Sequence, residues 1–249
     1  MTDEIARRDG WSFAINNREQ FERIWDDVDR GREYDAGDLG AAPVIVDAGA
    51  HVGVATHWLA RRYPGAVILS FEANPDTFRL LRRNLRENGV TQSIPFNVAV
   101  GDRWDGVAFF TMPGDTWGDS AFRHTWHDER TVELRVPSLP LSALLTRPID
   151  LLKLDIEGYE TAALADAERA GVLGNVGRIV LEFHGNAMNP ENRLEDLLEV
   201  LDRAGFRITI EQGGQIKPLS RIERDGNFWL IIRGGRGRSW PRANRQAFR

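Results

Sequence analysis

Short β-rich apolar runs alternate with longer helical stretches through the middle of the chain, and this alternation restricts the fold to a mostly parallel sheet with crossover helices. Val44-Ile45-Val46-Asp47 reads as a buried strand that turns through residues 48–53 into a helix over 54–62. Residues 66–72 form the next strand, and Asn74-Pro75 supplies an N-cap and a first-turn proline for a helix over 76–88 that ends at Gly89. In that helix Phe78, Leu81 and Leu85 share one face. A third strand covers 94–98. After a break, 149–155 and 179–184 read as strands, 161–170 and 191–204 as helices. Strands over 206–211 and 227–232, joined by a turn containing Gly213-Gly214, close the sheet as an antiparallel pair.

The break lies between Gly101 and Pro140. There, 107–110 and 131–136 read as strands without a helix between them, so an inserted hairpin is expected with residues 113–130 as its loop. Residues 1–42 contain a short strand, 11–15, and an amphipathic helix, 19–29, and are expected to cover the main domain of 43–233. Residues 234–249 hold five arginines and no acid and are expected to be a disordered tail.

Composition narrows the chemistry. The 249 residues, 42% hydrophobic, can build a sheet covered on both faces, and the absence of cysteine excludes disulfides, thiolate metal centres and thiol nucleophiles. The acidic amino terminus lacks an apolar leader and no uncharged apolar run approaches a membrane span, so a cytoplasmic protein is expected. The net charge is −5, and without the tail the chain has 27 basic and 37 acidic residues, net −10. Such a body suits a small-molecule partner and argues against nucleic acid. Of the 32 basic residues only Lys153 and Lys217 are lysines, a skew expected from a GC-rich genome that makes each lysine informative.

The sharpest local signal is Asp47-Ala48-Gly49-Ala50-His51-Val52-Gly53 between strand and helix. Its D-x-G-x-x-x-G spacing differs from the G-x-G-x-x-G of a dinucleotide site, which leaves a nicotinamide-dependent oxidoreductase as the weakest reading. An acid at the strand end suits a ligand with an ammonium group, such as the methionine part of S-adenosylmethionine. Nineteen residues beyond Gly53, Glu72 ends the next strand, where a carboxylate can accept hydrogen bonds from both ribose hydroxyls. Asp102, after Gly101, can reach an adenine amino group or serve only its own turn.

At the fourth strand the chain reads Lys153-Leu154-Asp155-Ile156-Glu157-Gly158-Tyr159-Glu160. Together with Ile-Val-Asp-Ala-Gly-Ala-His-Val-Gly, Ser-Phe-Glu-Ala-Asn-Pro and Arg-Asn-Leu-Arg-Glu-Asn-Gly before it, this resembles the FkbM family of S-adenosylmethionine-dependent methyltransferases over about residues 44–182. The family pattern is D-x-G-A-x-x-G, F-E-x-x-P and K-x-D-x-E-G-x-E. The resemblance implies a Rossmann-like α/β fold of class I methyltransferases, a doubly wound seven-stranded sheet with a terminal antiparallel strand, and O-methylation of a natural product or sugar. It implies that Asp47, Gly49, Ala50 and Gly53 form the cofactor loop, that Glu72 and Ala73 meet the ribose, and that Asp155, Glu157 and Glu160 stand at the reaction end. His51 departs from the small or amide residue common there and inherits no role.

Strand alternation places Lys153 and Asp155 on one side, with Asp155 nearer the ligand-binding edge of the sheet and open to cofactor as well as acceptor. The fifth strand ends in Glu182-Phe183-His184, so Glu182 and His184 can share that cleft. Asp155, Lys153, His184 and Glu182 are therefore the candidate catalytic residues. His184 can act as general base toward an acceptor hydroxyl. Alternatively Asp155, Glu182 and His184 can ligate a Mg²⁺-like ion, for which a histidine is an uncommon ligand. Glu157 and Glu160 can instead favour the start of the following helix. Trp117 and Trp126 in the insertion can stack on an acceptor ring or close a small cluster under the loop. Enzymes of this fold that release methylthioadenosine, and proteins that bind the cofactor without turnover, remain alternatives.

Overall fold

The computed structural model describes residues 3–112, 115–120, 131–186 and 189–236, without the side chains of residues 112 and 115–118. In chain order the strands are β1 (Glu4–Arg8), β2 (Trp11–Ile15), β3 (Val44–Ala48), β4 (Val67–Phe71), β5 (Ser93–Phe96), β6 (Ala99–Gly101), β7 (Val107–Met112), β8 (Asp115–Ser120), β9 (Val132–Val136), β10 (Ser138–Pro140), β11 (Ile149–Leu154), β12 (Val176–Gly185), β13 (Arg207–Gln212), β14 (Gln215–Ile216) and β15 (Phe228–Gly235). The helices are α1 (Arg18–Trp25), α2 (Val54–Arg62), α3 (Pro75–Glu87), α4 (Leu141–Leu144), α5 (Glu160–Arg169) and α6 (Leu194–Arg203).

The main sheet runs β14-β13-β15-β12-β11-β3-β4-β5. Strands β12, β11, β3, β4 and β5 are parallel, whereas β15 is antiparallel to both β12 and β13. Period-two alternation divides the core. Ile45, Ile68, Leu151 and Val180 face a cluster with Phe13, Phe21, Leu59 and Leu81 from the amino-terminal hairpin, α1, α2 and α3. Val46, Leu152, Ile179 and Leu181 face Leu141, Leu164 and Leu197 from α4, α5 and α6. Asp47, Lys153 and Glu182 have the parity of the first set, so alternation carries three polar side chains onto the face covered by the amino-terminal segment.

Several expectations are corrected. The sheet has eight strands rather than seven, because Gly213-Gly214 makes a tight turn between β13 and a two-residue β14 instead of leading into β15. The insertion is a three-stranded sheet, β8-β7-β9, since residues 115–120 expected in a loop pair with β7. The strand expected over 94–98 ends at Phe96, and β6 pairs with β10 in a separate parallel ladder. β15 extends through Gly234 and Gly235, inside the expected tail, and Arg236 donates to the carbonyls of Leu173 and Gly174. Residues 237–249, Trp126 and the side chain of Trp117 lie outside the described residues. Among the described residues no helix is long and apolar enough to cross a membrane.

Two buried polar residues attach the amino-terminal hairpin to the sheet. Asn84 accepts from the Ala14 N–H at 2.7 Å and donates to the carbonyls of Ala14 at 3.0 Å and Val52 at 2.8 Å. His57 lies 4.6 Å from the Phe13 ring and 4.7 Å from the Trp11 ring, with Nδ1 at 2.6 Å from the Gly53 carbonyl. Burial lowers its pKa to about 4, so it is neutral in the fold.

Asn84→Ala strands three buried backbone groups and is expected to lower the unfolding free energy by roughly 2–4 kcal/mol in a denaturant titration. The unfolded chain protonates His57 near pH 6.5 and the folded one only near 4, so stability is lost as pH falls across that window. His57→Gln is expected to show a shallower fall in melting temperature between those pH values than the parent chain.

Candidate active site

The carboxyl ends of β3, β4, β11 and β12 open into a cavity of about 680 Å³. At its base the first glycine loop is tied down by its own backbone. Gly49 and Ala50 both donate to the Phe71 carbonyl, at 3.0 and 2.8 Å, and Gly49 adopts φ +83°. A Cβ on Gly49 would stand 1.7 Å from the Asp155 carbonyl oxygen, so only glycine permits the approach of β3 and β11 beyond their last paired residues.

Lys153 is the cation of this base, with its side chain 1% exposed. Its Nζ donates to the Gly49 carbonyl at 2.5 Å and lies 3.3 Å from both Asp47 Oδ1 and Asp155 Oδ2. Burial opposes the charge, but Asp155 and Asp47 hold the pKa above the ordinary lysine value. Held between these two carboxylates, the Lys153 ammonium is placed to position Asp155 rather than to take up a proton. Asp47, expected to meet the ligand, is fully buried and does not line the cavity, because Lys153 and the Thr56 hydroxyl, at 2.6 Å from Oδ2, occupy its carboxylate. Gly53 also lies off the cavity, as the left-handed N-cap of α2, where a Cβ would sit 2.8 Å from Leu81.

Glu72 lies at one end of the cavity, with Ala73 beside it. Its Oε2 accepts from the His51 N–H at 2.9 Å and its Oε1 from the Asn74 N–H at 2.8 Å, so each oxygen keeps a lone pair for another donor. Burial raises its pKa to about 7 against the pull of those two N–H groups. Apolar walls come from Phe71, Val98, Val100 and Phe109. Asp102 also lines the cavity, with Oδ1 accepting from Tyr159 at 2.9 Å and from Arg103 Nε at 2.7 Å. Although burial pushes its pKa up, Arg103 and Tyr159 hold it below the usual carboxylate value.

At the other end Asp155, Glu157, Glu182 and His184 come together. His184 Nε2 is 3.4 Å from Glu157 Oε2, 3.7 Å from Glu182 Oε1 and 4.0 Å from Asp155 Oδ1. Burial disfavours a charge on the ring, but Glu157, Glu160 and Glu182 keep its pKa well above 6.5. These acids favour the protonated ring where nothing else binds it, which weighs against the expected role of free general base. Burial raises Glu157 to about 7 and lifts Glu182 well above its ordinary value.

Glu160, expected at the reaction end, is fully buried behind it. Its Oε1 accepts from the Ile156 and Gly158 N–H groups, at 3.2 and 3.0 Å, and lies 3.2 Å from His184 Nδ1, while Oε2 accepts from Asn192 at 2.9 Å. It shapes the turn that follows β11. Sequence reasoning missed the amino-terminal contribution. Tyr34 donates to Asp155 Oδ2 at 3.3 Å, and Glu33, raised by burial to about 7, also lines the cavity. No periodic signal marks residues 31–36, and only the strand parity of Asp155 pointed to the face they cover.

The family profile described as Methyltransferase FkbM domain matches residues 47–208, a span that holds Gly49, Glu72, Asp155 and His184. Methyltransferase sdnD of Sordaria araneosa is 32% identical over 241 residues, covering 84% of this chain and 90% of that protein. Methyltransferase 1 of Beauveria bassiana (strain ARSEF 2860) is 25% identical over 242 residues, covering 88% and 94%. The crystal structure of Methyltransferase FkbM from Methylobacillus flagellatus KT shares the fold, with a TM-score of 0.51 at 16% identity. That alignment covers 80% of this chain and 45% of the other. The profile covers more than half of the chain, and the two methyltransferases align over 90% and 94% of their own length, so the chain belongs to the FkbM family of methyltransferases.

Proposed function

We propose that the protein transfers a methyl group from S-adenosylmethionine to a hydroxyl of a small molecule, a natural product or a sugar. The observation that carries this reading is that one cavity joins the Glu72 end to the Asp155 and Glu182 end, so two ligands can meet within it. Its volume of about 680 Å³ lies in the range of small-molecule sites.

The residues present fit the cofactor. Glu72 offers a free lone pair on each oxygen to the two ribose hydroxyls, because its backbone partners occupy one apiece. Ala73, Val98 and Phe109 supply apolar surface for an adenine ring, and Asp102, anchored by Tyr159 and Arg103, stands at that end for its amino group. Gly49, Ala50 and Asp155 line the middle of the cavity, where Asp155 can face the ammonium of the methionine part. When bound, S-adenosylmethionine supplies an electrophilic methyl group on a positively charged sulfur.

At the other end of the cavity this chain's residues prepare the acceptor. Asp155 and Glu182 accept hydrogen bonds from an acceptor hydroxyl, whose proton passes to the Glu182 carboxylate as its oxygen takes the methyl group from sulfur, and Lys153 fixes Asp155 through its 3.3 Å contact. Tyr34 and Glu33 close the cavity from the amino-terminal segment and limit access of water to it. Residues 1–42 are thereby a cover that completes the acceptor end.

Two measurements test this reading. Calorimetric titration with S-adenosylmethionine is expected to show saturable binding that Glu72→Ala weakens tenfold or more, a loss of at least about 1.4 kcal/mol. Unchanged affinity would remove the ribose role of Glu72. Incubation with S-adenosylmethionine and a pool of hydroxylated metabolites is expected to yield S-adenosylhomocysteine and an acceptor carrying one additional methyl group. Release of methylthioadenosine instead would overturn methyl transfer.

A further inference from the structure

We propose that the carboxyl ends of β11 and β12 bind one divalent cation of the Mn²⁺ type, with Asp155, Glu157 and His184 as its protein ligands and Glu182 alongside. Among the described residues, one ligand atom from each of these three lies within 4.8 Å of the others. The separations from His184 Nε2 are 3.4 Å to Glu157 Oε2 and 4.0 Å to Asp155 Oδ1. Donors sharing one six-coordinate ion of this size stand roughly 3–4.5 Å apart, so side-chain adjustments of a few tenths of an ångström bring the set to bonding distance.

Two further observations point to a ligand. Glu157 Oε2 is buried and accepts no hydrogen bond, and it faces His184 Nε2 at 3.4 Å, so the oxygen and the ring nitrogen can turn their lone pairs to one cation. Behind the ring, His184 Nδ1 lies 3.2 Å from Glu160 Oε1, and the other oxygen of Glu160 is held by Asn192 at 2.9 Å. This carboxylate support on the far nitrogen orients a metal-binding histidine and presents Nε2 to the ion.

Charge and donor type agree. Asp155, Glu157, Glu160 and Glu182 surround the imidazole, and Lys153 is committed to Asp47, Asp155 and the Gly49 carbonyl. Arg23 of α1 also faces the cavity and acts on Glu157 and Glu182, and a dication offsets the negative charge that remains. One imidazole with carboxylates and no sulfur favours a hard to borderline ion over a soft one, and the histidine favours Mn²⁺ over Mg²⁺. Because Asp155 and Glu182 line the cavity, the ion would meet an acceptor hydroxyl oxygen and make its proton easier to lose. That last consequence rests on the methyl-transfer reading, whereas cation binding does not.

The test uses the full chain stripped with EDTA and titrated with Mn²⁺ alone, following the paramagnetic resonance signal of the free ion. One equivalent is expected to bind saturably, and the spin-echo spectrum of the bound ion is expected to show imidazole nitrogen modulation, a readout that needs no variant. His184→Ala and Glu157→Gln are each expected to weaken binding at least tenfold, and Glu160→Gln by about 10–100-fold. Glu199→Gln, on the exposed face of α6, is expected to leave it unchanged. Absence of saturable binding by the wild-type chain, or bound Mn²⁺ without nitrogen modulation, would overturn the site. S-adenosylmethionine affinity measured on the same samples separates the two proposals, since the methyl-transfer reading predicts cofactor binding whether or not Mn²⁺ binds.

Discussion

The buried ammonium of Lys153 is the contact on which the arrangement of the cavity floor depends. It stands between Asp47 at the end of β3 and Asp155 just beyond β11, and it takes the Gly49 carbonyl from the loop between them. Without that charge two carboxylates would be buried side by side, at a cost of several kcal/mol. A guanidinium carries its charge on a planar fork and cannot replace a compact three-donor ammonium in this space. In a chain whose other basic residues, apart from Lys217, are all arginine, the single buried lysine is the residue type the geometry requires.

A second device occurs twice around this centre. Glu72 accepts from the His51 and Asn74 N–H groups, and Glu160 accepts from those of Ile156 and Gly158. In each case a carboxylate satisfies the backbone donors of a tight turn that has no ladder partner. The outcomes differ with position. Glu72 keeps free lone pairs facing the cavity, whereas Glu160 is fully buried off it and turns to His184 and Asn192 instead. One carboxylate is thereby open to ligand and the other is support for the side chains that meet it.

Much of the fold was legible because apolar periodicity and end signals agreed. α2 spans the expected residues, and Asn74 caps α3 by accepting from the Asp76 and Thr77 N–H groups, with Pro75 in the first turn. The grouping of Asp155, Glu182 and His184 followed from strand parity at a shared sheet edge. What periodicity could not reveal was which carboxylates were already engaged. Asp47 and Glu72 both end strands beside the same loop, and their difference arises from Lys153 and Thr56 reaching one and only backbone reaching the other. β8 escaped notice because Asp115, Gly118 and Asp119 carry turn composition, and its pairing with β7 is a tertiary effect. The contribution of Glu33 and Tyr34 depends on contacts more than a hundred residues away in sequence.

The seating of that early segment has a consequence for how the protein is made. Its backbone carbonyls at Glu33 and Ala36 are held by Arg233 of β15 and Arg178 of β12, so residues synthesised early are fastened by residues synthesised late. β15 also lies between β12 and β13 and joins them into one sheet only once it inserts. Until β15 has been made, the parallel strands β12, β11, β3, β4 and β5 can pair, but the acceptor end lacks the contacts that seat its cover. Closure of the acceptor end therefore waits on β15, the strand whose Arg233 holds the Glu33 carbonyl.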